Sequence, residues 1–458
     1  MPSLDLIARP DSDCFARTGA ANVSIAALKG DIMAVADGLA DARYLINRCE
    51  DRYWFTVTFM AAAVRGQITL LPGQRGDDAL DVLHAQLSRT REITDQAHPR
   101  DQQIGGTPGQ QGTGRVPALS ADQIIARAYT SGSTGTPEAH DKPWGLFCQG
   151  RATHGAQLDL NDSPSGLIAT VPSWHMYGLE WALLLPTAQP LTLYCGPTFF
   201  PGDVAKALAH FSARNQPAAL ISTPVHLQAL RKATAQPGRA ARIVSATAPL
   251  AQPLALATET QLQGRLLEIY GCSEIGSLAS RAPAREETWR FFPEFALAHR
   301  GKALEVRAAA LPEPVVLADQ FAAAPQGRFR LVGRTTDLVK IAGKRDSLSR
   351  LNSALGDIEG VEDGVFYDPE AIGLPASGRL GAVAVAPGLS PAGLKRALAR
   401  RVDPAFLPRP LLLVPALPRT ATSKLPLAAL RAIIESRAGE RDESERDAVA
   451  SNDADHER

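Results

Sequence analysis

No run of about 18 consecutive apolar residues occurs in the chain, so no segment reads as a membrane-spanning helix. Cysteine is scarce. Cys14, Cys49, Cys148, Cys195 and Cys272 are scattered and odd in number, which argues against a disulfide frame and against zinc-ligand spacing. Net charge is lacking as well: 48 Lys and Arg balance 48 Asp and Glu. No global field therefore attracts nucleic acid or an anionic membrane. The opening "MPSLDLIARPDSDCFAR" carries early acids and no apolar centre, unlike a signal peptide. A cytoplasmic location is the expectation.

What is present is chain enough for two or three domains, with 458 residues, 45% hydrophobic and 21% charged. Residues 20–42 carry Val23, Ile25, Leu28, Ile32, Val35 and Leu39 at near-helical spacing, predicting an amphipathic helix. "RYWFTVTFMAAAVRG" predicts a second, buried helix, and "QITLLPG" a short strand. Residues 95–119, rich in Gly, Gln, Pro and Thr, read as a mobile loop without a core. Beyond them, "GLIATVPSW", "PLTLYCG", "AALISTP", "ARIVSATAPL" and "RLLEIYG" are short apolar runs with helical stretches between them. That alternation predicts an α/β fold with largely parallel, buried sheet.

Near residue 334 the chain turns basic, polar and glycine-punctuated, as a hinge would. A small α+β pattern comes next. "DGVFYDP", "RLGAVAVAP" and "RPLLLVPAL" read as strands, and Ser390-Pro391 opens a helix. The expected division is a large domain over 1–334, a hinge at 335–337, a small mobile domain over 338–431 and a charged, disordered tail over 432–458.

Five stretches carry chemistry. "YTSGSTGTPEAHDKPW" packs hydroxyls and glycines whose backbone N–H groups can converge on an anion. No Gly-Lys-Ser/Thr comes after it, so it is not a Walker A loop; the alternative is a Ser/Gly/Thr linker. "EIYGCSEIG" presents Glu274 just past a strand's carboxyl end, where ligands of open α/β sheets bind and a carboxylate can hold Mg²⁺. The alternative there is a solvated loop acid. "PSWHMYG" sets His175 and Tyr177 on a loop, as a pocket wall or as a core histidine among aromatics. Asp319 can accept from ribose hydroxyls, and Arg334, fifteen residues on, can donate to phosphate or ribose. "LPRTATSKLP" places Lys424 in a polar loop, where a lone lysine is commonly surface.

In this order and spacing the set closely resembles the adenylate-forming superfamily of acyl-CoA synthetases, peptide-synthetase adenylation domains and luciferases, over roughly residues 20–430. "YTSGSTGTP" resembles its phosphate loop, "HMYG" its aromatic/His motif, "YGCSE" its Tyr-Gly-x-Thr-Glu motif, "VKIAGKR" its post-hinge loop and "PRTATSKLP" its catalytic-lysine motif. The "KPW" after the phosphate loop is most similar to short ligases of aryl polyene and xanthomonadin pigment pathways.

The resemblance implies ATP/AMP and Mg²⁺ as cofactors, a carboxylic acid substrate, and an acyl carrier protein or coenzyme A as thiol acceptor. It implies that Ser131, Gly132, Ser133, Thr134, Gly135 and Thr136 grip the pyrophosphate part, with Thr130 and Ser273 near phosphate. Tyr270 and Gly271 belong to the nucleotide site, Glu274 binds Mg²⁺, Asp319 fixes the ribose and Arg334 supports the nucleotide. Lys424 bridges carboxylate and α-phosphate, while Gly343 and Arg345 approach the thiol's path. By position, His175, Tyr177, Thr223, Val225, Ser245 and Ala248 line the acid pocket.

The chain also departs from the family pattern. Ser273 stands for Thr, Ser423 for Gly, Thr336 for an acid or lysine, "RLN" for Glu-Ile-Glu and "SATAPL" for a glycine-rich turn. Glu138 stands where many members carry lysine; either Lys142 supplies that charge from a displaced position or it is not needed. A competing expectation is a catalytically weak nucleotide- or acyl-binding partner in a biosynthetic complex. A fatty acid is a competing substrate.

Overall fold

Parallel strands cannot be joined by tight turns, so each needs a crossover on the way back. That rule organises most of this chain. The computed structural model describes residues 2–19, 21–73, 77–96, 102–110, 112, 114–130, 138–159, 165–233, 237–300, 303–334, 338–341, 344–375, 378–420 and 425–437. It forms two compact units, Met1–Leu317 with Ala323–Arg330, and Ala318–Ala322 with Leu331–Arg458. The hinge expected at 335–337 lies outside the described residues.

The large unit holds two main sheets. In the first, strands run in the order Glu138–Pro143, Ile124–Thr130, Ile68–Leu71, Tyr44–Asn47, Thr90–Thr94, Gln102–Gln103. All neighbours are parallel except the edge hairpin of Ile124–Thr130 with Glu138–Pro143. In the second, nine-stranded sheet, six adjacent strands are parallel: Arg265–Cys272, Arg242–Ser245, Ala218–Ser222, Ser165–Ala169, Leu191–Tyr194 and Cys14–Arg17. Helices Pro201–Ser212, Pro224–Lys232 and Gln252–Leu262 are crossovers. They bury Leu208, Phe211, Leu230 and Leu262 against Ile168, Leu220, Ile243 and Leu266 of the strands.

Two features differ from expectation in the N-terminal region. The helix predicted over 20–42 is Ile25–Gly38, because Ser24 caps it by accepting from the Ala27 N–H at 3.2 Å. Asn22–Ser24 is instead an edge strand. The loop 95–119 is anchored in the described part. Gln102–Gln103 pairs with Thr90–Thr94, and the Gly109 N–H donates to buried Asp31 at 2.7 Å. Asp31 also accepts from the Tyr53 hydroxyl at 2.6 Å, so one helical carboxylate joins the segment to helix Arg52–Val64.

The small unit has a core of its own. Its sheet orders Asp363–Tyr367, Gly381–Val385, Leu411–Leu413. Alternation along the middle strand turns Ala382 and Ala384 to one side, with Leu351, Leu355, Leu394 and Phe406. Val383 and Val385 face the other, with Leu412, Leu430 and Ile434. The tail expected from 432 therefore starts too early. A helix runs over 427–437 because Leu430 and Ile434, one turn apart, are buried. Residues 438–458 are outside the described set.

Replacing Asp31 by Ala leaves the Tyr53 hydroxyl and the Gly109 N–H without this acceptor. Asp31→Ala is expected to destabilise the large unit by about 2 kcal/mol, measured by urea unfolding, and to speed proteolytic cleavage within residues 102–119.

Candidate active site

The parallel strands of the second sheet end on one edge, and four neighbours in space deliver four candidate segments there. Ser165–Ala169 leads to His175 and Tyr177, Ala218–Ser222 to Thr223 and Val225, Arg242–Ser245 to Ala248, and Arg265–Cys272 to Glu274. This carboxyl edge is where open α/β sheets bind ligands.

The His175 segment is clamped from below. Arg52 Nη1 donates to the Val171 carbonyl at 2.8 Å and Nη2 to the Ala169 carbonyl at 2.6 Å. His175, half-buried, precedes the helical turn Met176–Gly178, which continues as a π-helix over Leu179–Leu184. Tyr177 is buried, and its hydroxyl donates to the Val244 carbonyl at 2.9 Å, so this group fixes the helix to the neighbouring strand. Thr223 caps the next helix, and its Oγ1 lies 2.9 Å from His226 Nδ1. Val225 is 45% exposed and contributes outer surface.

Ser245 ends its strand fully buried, and its Oγ has no partner among the described residues. The adjoining turn holds Thr247 at φ 80°, a strained conformation for a β-branched residue. Glu268 steadies this turn: its carboxylate accepts from the Leu250 N–H at 2.8 Å and pairs with Arg281 at 2.6 Å. Ala248 is half-buried on the turn.

Glu274 occupies the turn between Arg265–Cys272 and Gly276–Arg281, half-buried beside Ser273. A bulge between Tyr270 and Gly271 bends the strand into it. A Cβ on Gly271 would lie 2.5 Å from the Gly276 carbonyl oxygen, so only glycine fits. Tyr270 stands edge-on to Trp289 and Phe329, at 6.1 and 6.4 Å between ring centres.

Thr130 is the last residue of strand Ile124–Thr130, and Glu138 faces it across the hairpin; the side chain of Thr130 is outside the described set. The loop Ser131 to Thr136, Gly343 and Lys424 also lie outside the described residues. Asp319 begins one strand of a two-stranded sheet and Arg334 ends the other. Asp319 is half-buried. Arg345 sits opposite Lys340 in a small hairpin.

The run "EAHDKP" stands out in the sequence only as a burst of charge. It is a strand, Glu138–Pro143, held by the Arg127–Asp141 pair at 2.5 and 2.9 Å. Lys142 on this strand is fully buried, and its ammonium donates to the Glu274 carbonyl. Burial pushes Lys142 down to about 8, against the opposing pull of Cys272, Glu180, Glu274 and Asp141. Glu180, which no sequence motif singles out, accepts from the Ser277 N–H at 3.1 Å and the Ser277 hydroxyl at 2.7 Å. The indole of Trp181 donates to the same hydroxyl at 2.9 Å, and His154 stacks on that indole at 4.2 Å.

A pattern described as AMP-binding enzyme matches residues 35–294, more than half of the chain. The chain belongs to the AMP-binding enzyme family. It is an enzyme of the acyl-CoA ligase type, which works with ATP and AMP. A 4-coumarate–CoA ligase of Rhodobacter capsulatus is 28% identical over 291 residues, 62% of this chain and 70% of that one. The fold matches an O-succinylbenzoate coenzyme A synthetase of Bacillus subtilis in complex with AMP, with TM-score 0.74, 14% identity, and 90% and 94% of the two chains covered. It also matches the anthranilate CoA ligase AuaEII in complex with anthranoyl-AMP, with TM-score 0.72, 15% identity, and 92% and 94% covered. No helix among the described residues of this AMP-binding enzyme is long and apolar enough to cross a membrane.

The residues present fit a magnesium ion. The edge offers the half-buried Glu274 carboxylate beside the Ser273 hydroxyl, on the turn past the end of strand Arg265–Cys272. A single protein carboxylate suits Mg²⁺, which completes its shell with water and nucleotide phosphates.

Burial raises Glu180 from 4.5 to about 7. The folded state then holds a proton that the unfolded state releases, so Glu180's contribution to stability falls as pH rises from about 4.5 through about 7. Glu180→Gln is expected to flatten that fall, read as the difference in Tm between variant and wild type across pH 4.5 to 8.

Proposed function

We propose that this enzyme is a cytoplasmic ligase that joins a hydroxybenzoate-like aryl acid to an acyl carrier protein through an acyl-adenylate. The observation that carries this reading is the shared carboxyl edge, where the segments of His175, Thr223, Ser245 and Glu274 converge.

In the first half-reaction a carboxylate oxygen attacks the α-phosphorus of ATP. The bond to pyrophosphate breaks, leaving an acyl-adenylate. Negative charge crowds onto the phosphates, so positioning and cationic stabilisation carry the catalysis. Thr130 and the backbone and hydroxyls of residues 131–136 grip the pyrophosphate part. Glu274, with Ser273 alongside, would hold a Mg²⁺ ion, which would supply positive charge to the phosphates. Tyr270 and Gly271 border the nucleotide, Asp319 accepts from the ribose, Arg334 supports the nucleotide, and Lys424 bridges carboxylate and α-phosphate. In the second half-reaction a pantetheine thiol attacks the acyl carbonyl, its proton passes to solvent, and AMP leaves. The small unit turns about 335–337 between the two steps, bringing Gly343 and Arg345 to the thiol's path.

Glu180, Ile275 and Ser277 line a cavity of about 10 Å³ together with Gln149, His154 and Glu294, room for one water and not for a substrate ring. Gln149 Oε1, His154 Nδ1 and Glu294 Oε2 have no partner among the described residues, nor does Ser245 Oγ at the sheet edge. His154 is neutral, pushed down to about 3 by burial. The aryl assignment rests on the likeness of "KPW" to pigment-pathway ligases.

The test is acid-dependent pyrophosphate–ATP exchange over a panel of aryl and fatty acids, then loading of carrier protein or coenzyme A. Hydroxybenzoates are expected to exceed medium-chain fatty acids at least tenfold. Equal rates would overturn the aryl assignment, and no exchange with any acid would favour a binding partner without catalysis. Lys424→Ala is expected to slow exchange by about 10²–10³, with a smaller effect on thiol transfer from preformed adenylate. Near-wild-type exchange would remove Lys424 from its role.

A further inference from the structure

The turn that carries Glu274 is held from two sides by buried side chains, a lysine and a glutamate. From the first sheet, the Lys142 ammonium donates to the Glu274 carbonyl. From the π-helix, the Glu180 carboxylate takes the N–H and hydroxyl of Ser277, three residues on. Between these two anchor points lies Gly276 at φ 120°, where a Cβ would stand 2.1 Å from a Glu180 carboxylate oxygen. The turn has no slack on that side.

A buried lysine is expensive unless its charge is answered. Here it is answered by its surroundings rather than by a tight ion pair: Glu180 and Glu274 both lie within electrostatic reach, yet the ammonium's hydrogen bond goes to a backbone carbonyl. Lys142 also lies on the strand that comes after residues 131–137, in register with Ala126. One side chain thus connects the hairpin flanking the phosphate loop to the backbone of the metal-binding residue, across two sheets. A surface lysine displaced from the phosphate loop would reach solvent; this one is turned inward.

We propose that Lys142 is a positioning residue for the nucleotide half of the reaction, fixing the Glu274 turn against the phosphate-loop hairpin with Glu180 as the counter-brace. It acts through the backbone of Glu274, whose carbonyl is its hydrogen-bond acceptor. The inference rests on the reading of Glu274 as the Mg²⁺ ligand.

Two measurements on Lys142→Met, which keeps the side chain's length and removes donor and charge, decide the matter. In exchange assays the variant is expected to need at least tenfold more Mg²⁺ for half-maximal rate and to lose at least tenfold in kcat, with the KM for the acid within threefold of wild type. In hydrogen exchange read by mass spectrometry without nucleotide, the peptide spanning Cys272–Ser277 is expected to exchange at least fivefold faster, while helix Arg52–Val64 stays protected. Wild-type Mg²⁺ dependence, an acid KM that moves equally with kcat, or unchanged exchange at 272–277 would overturn the proposal. If Lys142→Met does not fold, Lys142→Arg decides: donor and charge retained should keep the Mg²⁺ requirement within threefold, and a tenfold rise would refute the brace. Should wild-type protein show no acid-dependent exchange at all, the ligase reading fails, while the hydrogen-exchange result still judges the brace.

Discussion

Everything in the large unit depends on parallel strand pairing. Consecutive parallel strands must be joined by a crossover, and the chain leaves every such strand on the same edge. Six adjacent strands of the second sheet run the same way, four leading into crossovers and Cys14–Arg17 and Arg265–Cys272 into hairpins, so segments a hundred residues apart in sequence open on one edge. The segments of His175 and Glu274, with two strands between theirs, share an edge for that reason. The apolar strands are buried by crossover helices, which leaves the loops at the edge to carry polarity.

The second constraint is electrostatic. The edge concentrates ionisable side chains that are buried or half-buried: Arg52 under the His175 segment, Glu268 with Arg281 under the Thr247 turn, Lys142 and Glu180 about the Glu274 turn. Arg52, Glu268, Lys142 and Glu180 each bond to backbone N–H or carbonyl groups of a loop or turn. Loops lack the repeating hydrogen bonds of helix and sheet, so a charged side chain that reaches their backbone replaces what the ladder does elsewhere. Charge-assisted bonds are the stronger kind, which suits loops that must hold a shape against a reacting nucleotide.

Much of this was legible in the sequence, for an identifiable reason. Strands buried on both faces read as continuous apolar runs, so "AALIS" and "LTLY" declared themselves. Strand Glu138–Pro143 did not, because an edge hairpin can be polar and its Asp141 is matched by Arg127 on the partner strand. The Ser24 cap marks a helix start that spacing alone put several residues early. Lys142 and Glu180 were illegible as a brace because their partners lie 132 and 97 residues away. No local pattern encodes such a pairing. The motif residues 131–136 and Lys424 were the reverse case: plain in the sequence, and outside the described residues.

The π-helix at Leu179–Leu184 has an evolutionary side. Such a winding holds one residue more than the α-helix would, and here it lets consecutive residues, Glu180 and Trp181, both reach Ser277. Loss of one residue would restore the ordinary winding, leave the flanking turns in register and withdraw either the carboxylate or the indole from Ser277. The lining of this region is therefore open to change by single insertions and deletions as well as by substitution. Relatives that differ in length by one residue here would differ in pocket shape more than their sequence identity suggests.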